Sequence, residues 1–451
     1  MTTWAYPSQK LGAEDIPMAL DLLKKSRWLT LASLLALSST TAVGCAAEPG
    51  DGEEGLDDGT GSSTDDITQV SHTKVKRQSI GNCWLYATAS WLEALNKAAT
   101  GEEKNTSESW HTYWHWYEQL ANGGARDEIS TGGSYATAAD LIARYGLMME
   151  GDFIPGEAEA EMSNRQSSAL NAVNASLKTG GLKDAVARRD RRAIRAELDR
   201  AWGLDEGMIK RINNVFGEGV TRTLDRSSYA AGRAASNKII RSKDFPVELK
   251  DPQTGQKVRA NLADAVGTSG GGWWAPRSGK FAWNEVNYPY DQRGRREFWK
   301  RVQKALHDGA PVITSWKVDF NALSSSSVFS LEELQRRGPG RQGGHMTVMH
   351  DYQAEVPGVG LLKAGEQATA EQMQAALAEG TKIQFVRVKN SWGGIRPDRW
   401  NDAAIAGYHD LTMSYLNGPI KECSERDGQT DTTNCPREVT PLWDVVLPAG
   451  Y

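Results

Sequence analysis

Three separated residues, Cys83, His345 and Asn390, have the side chains that a covalent acyl-transfer site requires. Cys83 follows a turn containing Gly81 and begins an apolar run of helical length, so we expect it to be the first residue of a buried helix. Free backbone N–H groups and the positive end of the helix dipole lower the pKa of a thiol there and favour the nucleophilic thiolate. A buried structural cysteine fits this stretch alone equally well.

The positions of His345 and Asn390 favour the catalytic interpretation. His345 stands at the start of a β-like run, and Asn390 ends an alternating strand that begins at Gln384. A nucleophile, a base and a residue that orients the base, each at the end of an element, form the set used by cysteine hydrolases. The sequence therefore predicts that Cys83 attacks a carbonyl, His345 carries the proton and Asn390 orients the imidazole.

These motifs resemble the three active-site motifs of papain-like cysteine peptidases. The residues that carry the resemblance are Gly81-Asn82-Cys83-Trp84, Gly344-His345 and Lys389-Asn390-Ser391-Trp392-Gly393. The resemblance implies an α+β fold of two lobes, one helical and one of antiparallel strands. It also implies that peptide bonds are hydrolysed through a thioester on Cys83. The expected partner is therefore a peptide or protein substrate.

The resemblance also implies roles for residues around the three catalytic positions. Gln78 is expected to complete the oxyanion hole with the backbone N–H of Cys83, although it lies one residue closer to the cysteine than usual and Arg77 occupies the expected place. Trp392 is expected to shield the His345–Asn390 hydrogen bond from water. In such enzymes a Gly-Gly pair lies along the substrate cleft, and Gly132 and Gly133 match it. An ordinary turn is the alternative for this pair.

The bleomycin hydrolase and aminopeptidase C branch is the most similar in pattern. His345 lies 262 residues after Cys83, against about 130–150 in ordinary papains, and that branch carries a helical insertion in the same interval. There the chain end lies in the cleft and restricts cleavage to peptide termini. We therefore expect the carboxylate of Tyr451 to receive a substrate's amine and to confer aminopeptidase-like activity, with endopeptidase activity as the alternative.

The N-terminal region predicts export. A positively charged stretch and a short apolar run precede Cys45 and resemble a bacterial lipoprotein signal, in which Cys45 is lipidated; an ordinary secretion signal is the alternative. The acidic stretch that follows is a solvated tether. We expect a protein of the bacterial cell envelope, lipid-anchored to a membrane or secreted. Cys423 and Cys435 are then expected to form a local disulfide.

The predicted domains are a signal peptide at 1–45, a disordered linker at 46–70, a helical lobe at 71–155, a helical insertion at 156–265 and a β lobe at 266–451. A net charge of −5 gives no indication of nucleic-acid binding. No cofactor or metal is expected: His111 and His115 have a zinc-compatible spacing, but the sequence shows no third ligand. Two other functions stay open, a cysteine-dependent acyltransferase or deamidase and an inactive papain-fold binding protein. The sequence does not determine the natural substrate or the oligomeric state.

Overall fold

A mainly antiparallel sheet and a group of helices make up the described part of the chain. The structure is a computed structural model that describes residues 68, 70–125, 127–226, 231–271, 275–395, 402–426 and 428–451. All of these belong to one unit, Val43–Tyr451. The predicted signal peptide 1–45 with Cys45, and the linker 46–70 apart from residues 68 and 70, lie outside the described residues.

Helices dominate the first half of the described chain. In chain order they are α1 Cys83–Thr100, α2 Glu108–Ala121, α3 Tyr135–Tyr145, α4 Glu150–Phe153, α5 Asn164–Thr179, α6 Gly181–Ala187, α7 Arg191–Ala201, α8 Glu206–Phe216, α9 Ala231–Ser236, α10 Leu262–Val266, α11 Gln292–His307, α12 Leu331–Arg337, α13 Ala370–Ala375 and α14 Met413–Asn417. Short 3₁₀ turns lie at Pro155–Glu157, Ser242–Asp244, Phe320–Ala322 and Ala403–Ile405. Among the described helices, none is long and apolar enough to cross a membrane.

Strands dominate the second half. They are β1 Pro246–Lys250, β2 Lys257–Asn261, β3 Trp283–Asn287, β4 Val312–Asp319, β5 Val328–Phe329, β6 Gln342–Val356, β7 Gly360–Leu362, β8 Lys382–Lys389, β9 Tyr408–Thr412, β10 Ile420–Glu422, β11 Ser424–Arg426, β12 Gln429–Asp431, β13 Arg437–Val439 and β14 Leu442–Pro448. The main sheet has the order β3-β14-β4-β6-β8-β9-β5, with β7 paired to β6. Its pairings are antiparallel except that between β5 and β9. This confirms the expected α+β class with a helical part and an antiparallel β part.

The two faces of the central strands pack into two different cores. Alternate side chains of a strand point to opposite faces. On one face Ile313, Met346, Val348 and Val446 join the core of the helical part, which includes the α1 residues. On the other face lies a second core, to which Trp316 and Val445 contribute. The helix that begins at Cys83 is thereby packed against the central strands.

The predicted helical insertion is only partly helical. Helices α5 to α9 lie within 156–265, but β1 and β2 form an antiparallel hairpin in the same interval. Several insertion residues, among them Leu198 and Phe216, share one core with α1 and α2. The insertion therefore continues the helical part, and the boundaries at 155 and 265 stay predictions.

The predicted disulfide between Cys423 and Cys435 is present. The two cysteines lie 12 positions apart in a region built from the short hairpins β10–β13 and β11–β12. Such short hairpins bury little apolar surface, so a covalent link that restricts the unfolded chain stabilises them.

Candidate active site

The nucleophile candidate lies where the sequence placed it, at the first residue of α1. Apolar residues on almost every face of α1 explain its burial, and Cys83 itself is fully buried. The helix ends before Gly101, which has φ 72° and whose N–H bonds the carbonyl of Lys97. At the other end the first-turn N–H groups have no intrahelical partner, so the backbone at Cys83 faces the site with a partial positive charge.

His345 and Asn390 are hydrogen-bonded to each other. β6 carries His345 near its start, and Asn390 directly follows β8; the two strands are neighbours in the sheet. The distance from His345 Nε2 to Asn390 Oδ1 is 2.7 Å. An amide oxygen only accepts, so Nε2 carries the proton and donates it. The other ring nitrogen, Nδ1, is then the basic one, and it has no hydrogen-bond partner among the described residues.

The amide of Asn390 is itself held in one orientation. Its Oδ1 also accepts from the backbone N–H of Ser391 at 2.7 Å, and its Nδ2 lies 3.3 Å from Nδ1 of His409. His409 is a member of the site that sequence reasoning missed. It lies on β9, directly opposite Val388 of β8. The only signal that the sequence offers for this role is a histidine on β9, the strand next to β8, which leads to Asn390.

The indole of Trp392 covers the imidazole of His345. Its ring stacks on His345 with ring centroids 4.6 Å apart and an interplanar angle of 17°. Both side chains are buried, with Trp392 only 6% exposed. A bond between His345 and Asn390 beneath this indole is kept from water, and the ring cannot rotate freely. The expected shielding role therefore fits the observed packing.

The sulfur of Cys83 lies beside the residue that follows His345. The backbone N–H of Met346 donates to Cys83 Sγ at 3.2 Å. This contact brings together two positions that are 263 residues apart in the chain.

The protonation state of His345 follows from its burial. Burial lowers the pKa of His345 to about 4, and the hydrogen bond to Asn390 acts in the opposite direction. At neutral pH the imidazole is therefore uncharged and can accept a proton at Nδ1. Because this pKa lies below that of an unfolded histidine, the contribution of His345 to stability is present above about pH 6.5 and is lost as the pH falls towards 4.

Gln78 links the loop before Cys83 to the segment after Asn390. Its backbone N–H donates to the carbonyl of Ser391 at 2.9 Å, and its Oε1 accepts from the Ser391 hydroxyl at 2.6 Å. Its Nε2 donates one hydrogen to the carbonyl of Ile80 at 2.8 Å. The second amide hydrogen has no recorded acceptor within the described part of the chain. A role for Gln78 in the oxyanion hole stays a prediction.

Gly133 lies against the residue after the nucleophile. A Cβ added at Gly133 would fall 2.5 Å from Cε2 of the Trp84 ring, so a larger residue would displace the indole. The Trp84 indole N–H donates to the carbonyl of Thr131 at 2.9 Å, which fixes the Gly132–Gly133 backbone beside Cys83. This position is compatible with the expected substrate-binding role of Gly132 and Gly133, which stays a prediction.

The insertion contributes a buried amide behind the nucleophile. Gln166 of α5 accepts from Asn82 Nδ2 at 2.9 Å, and Asn82 directly precedes Cys83. Nearby, the backbone N–H of Arg77 donates to the carbonyl of Glu161 at 2.7 Å. The start of the insertion thus supports the loop that presents Cys83, a function that its composition did not indicate.

The expected position of the chain end is wrong. The Tyr451 carboxylate accepts from Arg301 of α11 at 2.6 Å, and its hydroxyl donates to Asp308 at 2.5 Å. In the sheet, Leu442 at the start of β14 pairs with Trp316, the strand neighbour of His345, whereas Pro448 lies at the opposite end. β14 therefore leads the C-terminus away from His345. In addition, the carboxylate of Tyr451 already has a cationic partner, Arg301.

The two histidines with zinc-compatible spacing serve other contacts. His111 Nε2 lies 3.0 Å from the carbonyl of Gly146, and His115 packs edge-on against Trp84 with centroids 4.8 Å apart. Within the described ranges, no group of three or more His, Cys, Asp or Glu residues is arranged to hold a metal ion.

Comparisons with known proteins reveal distant structural likenesses. No family model and no curated protein matches the chain. It is similar to PepW from Lactobacillus rhamnosis (12% identity, 86% of this chain and 82% of that one, TM-score 0.40). It is also similar to xylellain, a cysteine protease from Xylella fastidiosa (11%, 90% and 96%, 0.34), and to digestive procathepsin L 3 of Tenebrio molitor (11%, 90% and 76%, 0.31). Likenesses this distant do not decide the activity.

Proposed function

We propose that this chain is a papain-like cysteine peptidase in which Cys83, His345 and Asn390 hydrolyse peptide bonds. One observation carries the proposal: the strand that holds His345 places Met346 N–H on Cys83 Sγ, while Asn390 holds the far side of the same imidazole. The basic nitrogen of His345 is thereby left for the thiol. A buried cysteine with only a packing role does not require this arrangement.

The reaction follows from these groups. Nδ1 of His345 takes the proton of the Cys83 thiol, and the thiolate attacks the peptide carbonyl carbon. The backbone N–H of Cys83 stabilises the resulting oxyanion at the α1 N-terminus. The C–N bond breaks, the amine leaves with the proton from His345, and a thioester remains. Water then attacks the thioester, His345 takes its proton, and the acid and the free thiol are released.

The cellular setting is a further part of the proposal. The apolar stretch before Cys45 supports export and lipidation of that cysteine, with the acidic linker as a tether from the membrane. The Cys423–Cys435 disulfide fits an oxidising compartment. The insertion between the first two motifs supports kinship with the bleomycin hydrolase branch. The C-terminus differs from that branch, because it is bound to Arg301 and does not lie in the cleft.

Alkylation tests the peptidase proposal. We expect the reduced full-length protein to cleave a mixed peptide library and to lose activity in proportion to carboxamidomethylation of Cys83, mapped by mass spectrometry, because only the thiolate reacts as nucleophile. Cys423→Ser/Cys435→Ser is the matched control and should keep this behaviour. Turnover that survives complete alkylation of Cys83 would exclude the mechanism. Products joined to an added primary amine, in place of free acids, would instead indicate the acyltransferase alternative.

Truncation of the C-terminus should not change which peptide bonds of a substrate are cleaved. Since Tyr451 is bound to Arg301 and Asp308, deletion of Ala449–Tyr451 removes no group from the cleft. The ratio of cleavage rates for N-acetylated and free-amine peptides should change by less than about twofold. Tyr451→Phe, which loses only the hydroxyl contact, is the control for stability. A marked shift towards internal bonds after the deletion would contradict the observed position of the C-terminus.

A further inference from the structure

Asn390 is tied to the neighbouring strand β9 by its backbone as well as by its side chain. Its backbone N–H donates to the carbonyl of Gly407 at 2.9 Å, which extends the β8–β9 pairing by one residue beyond Lys389. Its side-chain nitrogen Nδ2 lies 3.3 Å from Nδ1 of His409. The amide of Asn390 is therefore placed relative to β9 by two separate hydrogen bonds.

The contact between Asn390 and His409 has only one possible direction. The backbone N–H of Ser391 donates to Oδ1 of Asn390, and only a carbonyl oxygen accepts such a bond, so the other amide atom is the nitrogen. An amide nitrogen donates and does not accept. Nδ1 of His409 must therefore be the acceptor, and the neutral ring carries its proton on Nε2.

Aromatic packing holds the His409 ring in the orientation that this bond requires. The side chain is only 4% exposed. The indole of Trp392 meets it edge-on with ring centroids 5.3 Å apart, and the ring of Phe329 lies at 5.8 Å. The same indole stacks on His345. The two imidazoles thus share one indole and one amide, and neither ring can turn without losing a contact with Trp392.

The orientation of the Asn390 amide depends on its partners. The terminal torsion of an asparagine has a broad energy profile, so hydrogen bonds decide how the amide plane is tilted. Ser391 holds the oxygen end and His409 holds the nitrogen end. The 2.7 Å bond from His345 Nε2 to Oδ1 depends on that tilt. This bond keeps the proton of His345 on Nε2 and leaves Nδ1 free to accept the proton of the thiol.

We propose that His409 is a positioning residue of the peptidase, which fixes the Asn390 amide and, through it, the tautomer of His345. The inference rests on the proposed peptidase function and adds a fourth residue to its machinery. His409 takes no part in the proton transfer itself. Its contribution is one acceptor atom, Nδ1, at the far end of the Asn390 amide.

Two substitutions separate the acceptor atom from the bulk of the ring. His409→Leu keeps an apolar side chain in the buried position but removes the acceptor. His409→Asn replaces Nδ1 with an amide oxygen that is also two bonds from Cβ, so an acceptor remains. His409→Leu should lower kcat on a peptide substrate by about tenfold. KM should change by less than about twofold, because an interaction that acts on the base alone does not contribute to substrate binding. His409→Asn should recover kcat to within about threefold of the wild type.

A double-mutant cycle tests whether His409 acts through Asn390. Both positions are changed singly and together, and initial rates of the reduced full-length proteins are compared. In the Asn390→Ala background, His409→Leu should change kcat by less than about twofold, because the amide that it positions is already absent. A residue that only supports the fold would instead cause a similar further loss in both backgrounds.

His307→Leu is the matched control. It makes the same substitution at a histidine outside the site, whose ring bonds the hydroxyl of Tyr352, and it should retain turnover. Three results would each overturn the role of His409: wild-type kcat in His409→Leu, no recovery in His409→Asn, or an equal loss from His409→Leu with and without Asn390.

Alkylation of Cys83 separates this inference from the peptidase proposal, since it needs no peptide. Iodoacetamide reacts with the thiolate, which forms when His345 takes the thiol proton. His409→Leu should slow carboxamidomethylation of Cys83 by about threefold or more when Asn390 is present, and should leave it unchanged in Asn390→Ala. If no peptide is cleaved but alkylation shows this dependence, the positioning role stands and the peptidase function fails. If peptides are cleaved but neither rate depends on His409, the peptidase function stands and the positioning role fails.

Discussion

Replacing Cys83 or His345 with Ala should abolish peptide hydrolysis, with kcat falling by at least about 10³-fold. Cys83→Ala removes the sulfur that forms the thioester, and His345→Ala removes the nitrogen that accepts and returns the proton. Asn390→Ala should reduce turnover without abolishing it, because the nucleophile and base remain while the imidazole loses its 2.7 Å hydrogen bond. Initial rates of the reduced full-length proteins measure all three effects.

His307 provides the control for these variants. It is also a buried histidine whose pKa is lowered by burial to about 4, but its ring bonds the hydroxyl of Tyr352 at 2.7 Å. His307→Ala removes a comparable imidazole from outside the site and should retain turnover in the folded protein. Equal activity of the wild type and Cys83→Ala would show that Cys83 is not the nucleophile and would favour the binding-protein alternative.

Lys76→Met should lower the free energy of unfolding strongly. The Lys76 ammonium lies 2.7 Å from Glu108, 3.0 Å from Glu93 and 3.9 Å from Glu150, and these side chains are at most 9% exposed. Burial alone would lower the pKa of Lys76, but the three carboxylates outweigh it and hold the pKa above its usual value. Removal of one partner from a buried ion cluster costs about 3–5 kcal/mol because uncompensated charge stays behind.

The pH dependence of this loss distinguishes charge from packing. Burial raises the pKa of Glu108 and of Glu150, and without Lys76 these carboxyls retain protons to still higher pH in the folded state. Retention of protons only in the folded state means that stability falls as the pH rises. The deficit of Lys76→Met relative to wild type should therefore be larger at pH 8 than at pH 5 in urea denaturation with an unchanged m value.

Lys74→Met is the matched control for the ion cluster. Lys74 lies two residues earlier, its side chain is 40% exposed, and its carboxylate neighbour Glu159 is 95% exposed at 3.9 Å. Exposed ion pairs contribute about 0–1 kcal/mol. If Lys74→Met and Lys76→Met had the same effect at both pH values, the buried cluster would not hold the segment before Cys83 in place.

The sequence alone determined those features that depend on residues close to one another in the chain. The apolar run placed Cys83 at the first position of α1, and the alternating pattern placed Asn390 directly after β8. The pairing of Cys423 with Cys435 was also predicted correctly. Local signals suffice in these cases because helix starts, strand ends and short covalent loops are specified within a few residues.

The tertiary structure decided which distant side chains meet. Strand order and register brought Met346 to Cys83 and put His409 beside Asn390. They also took Tyr451 away from the expected position. The alternating pattern of a strand specifies which side chains share a face, but it does not specify which neighbouring strand that face meets or at which residue the register is fixed. Burial of the whole sheet against the helical part sets that register, and no single stretch of this sequence contains it.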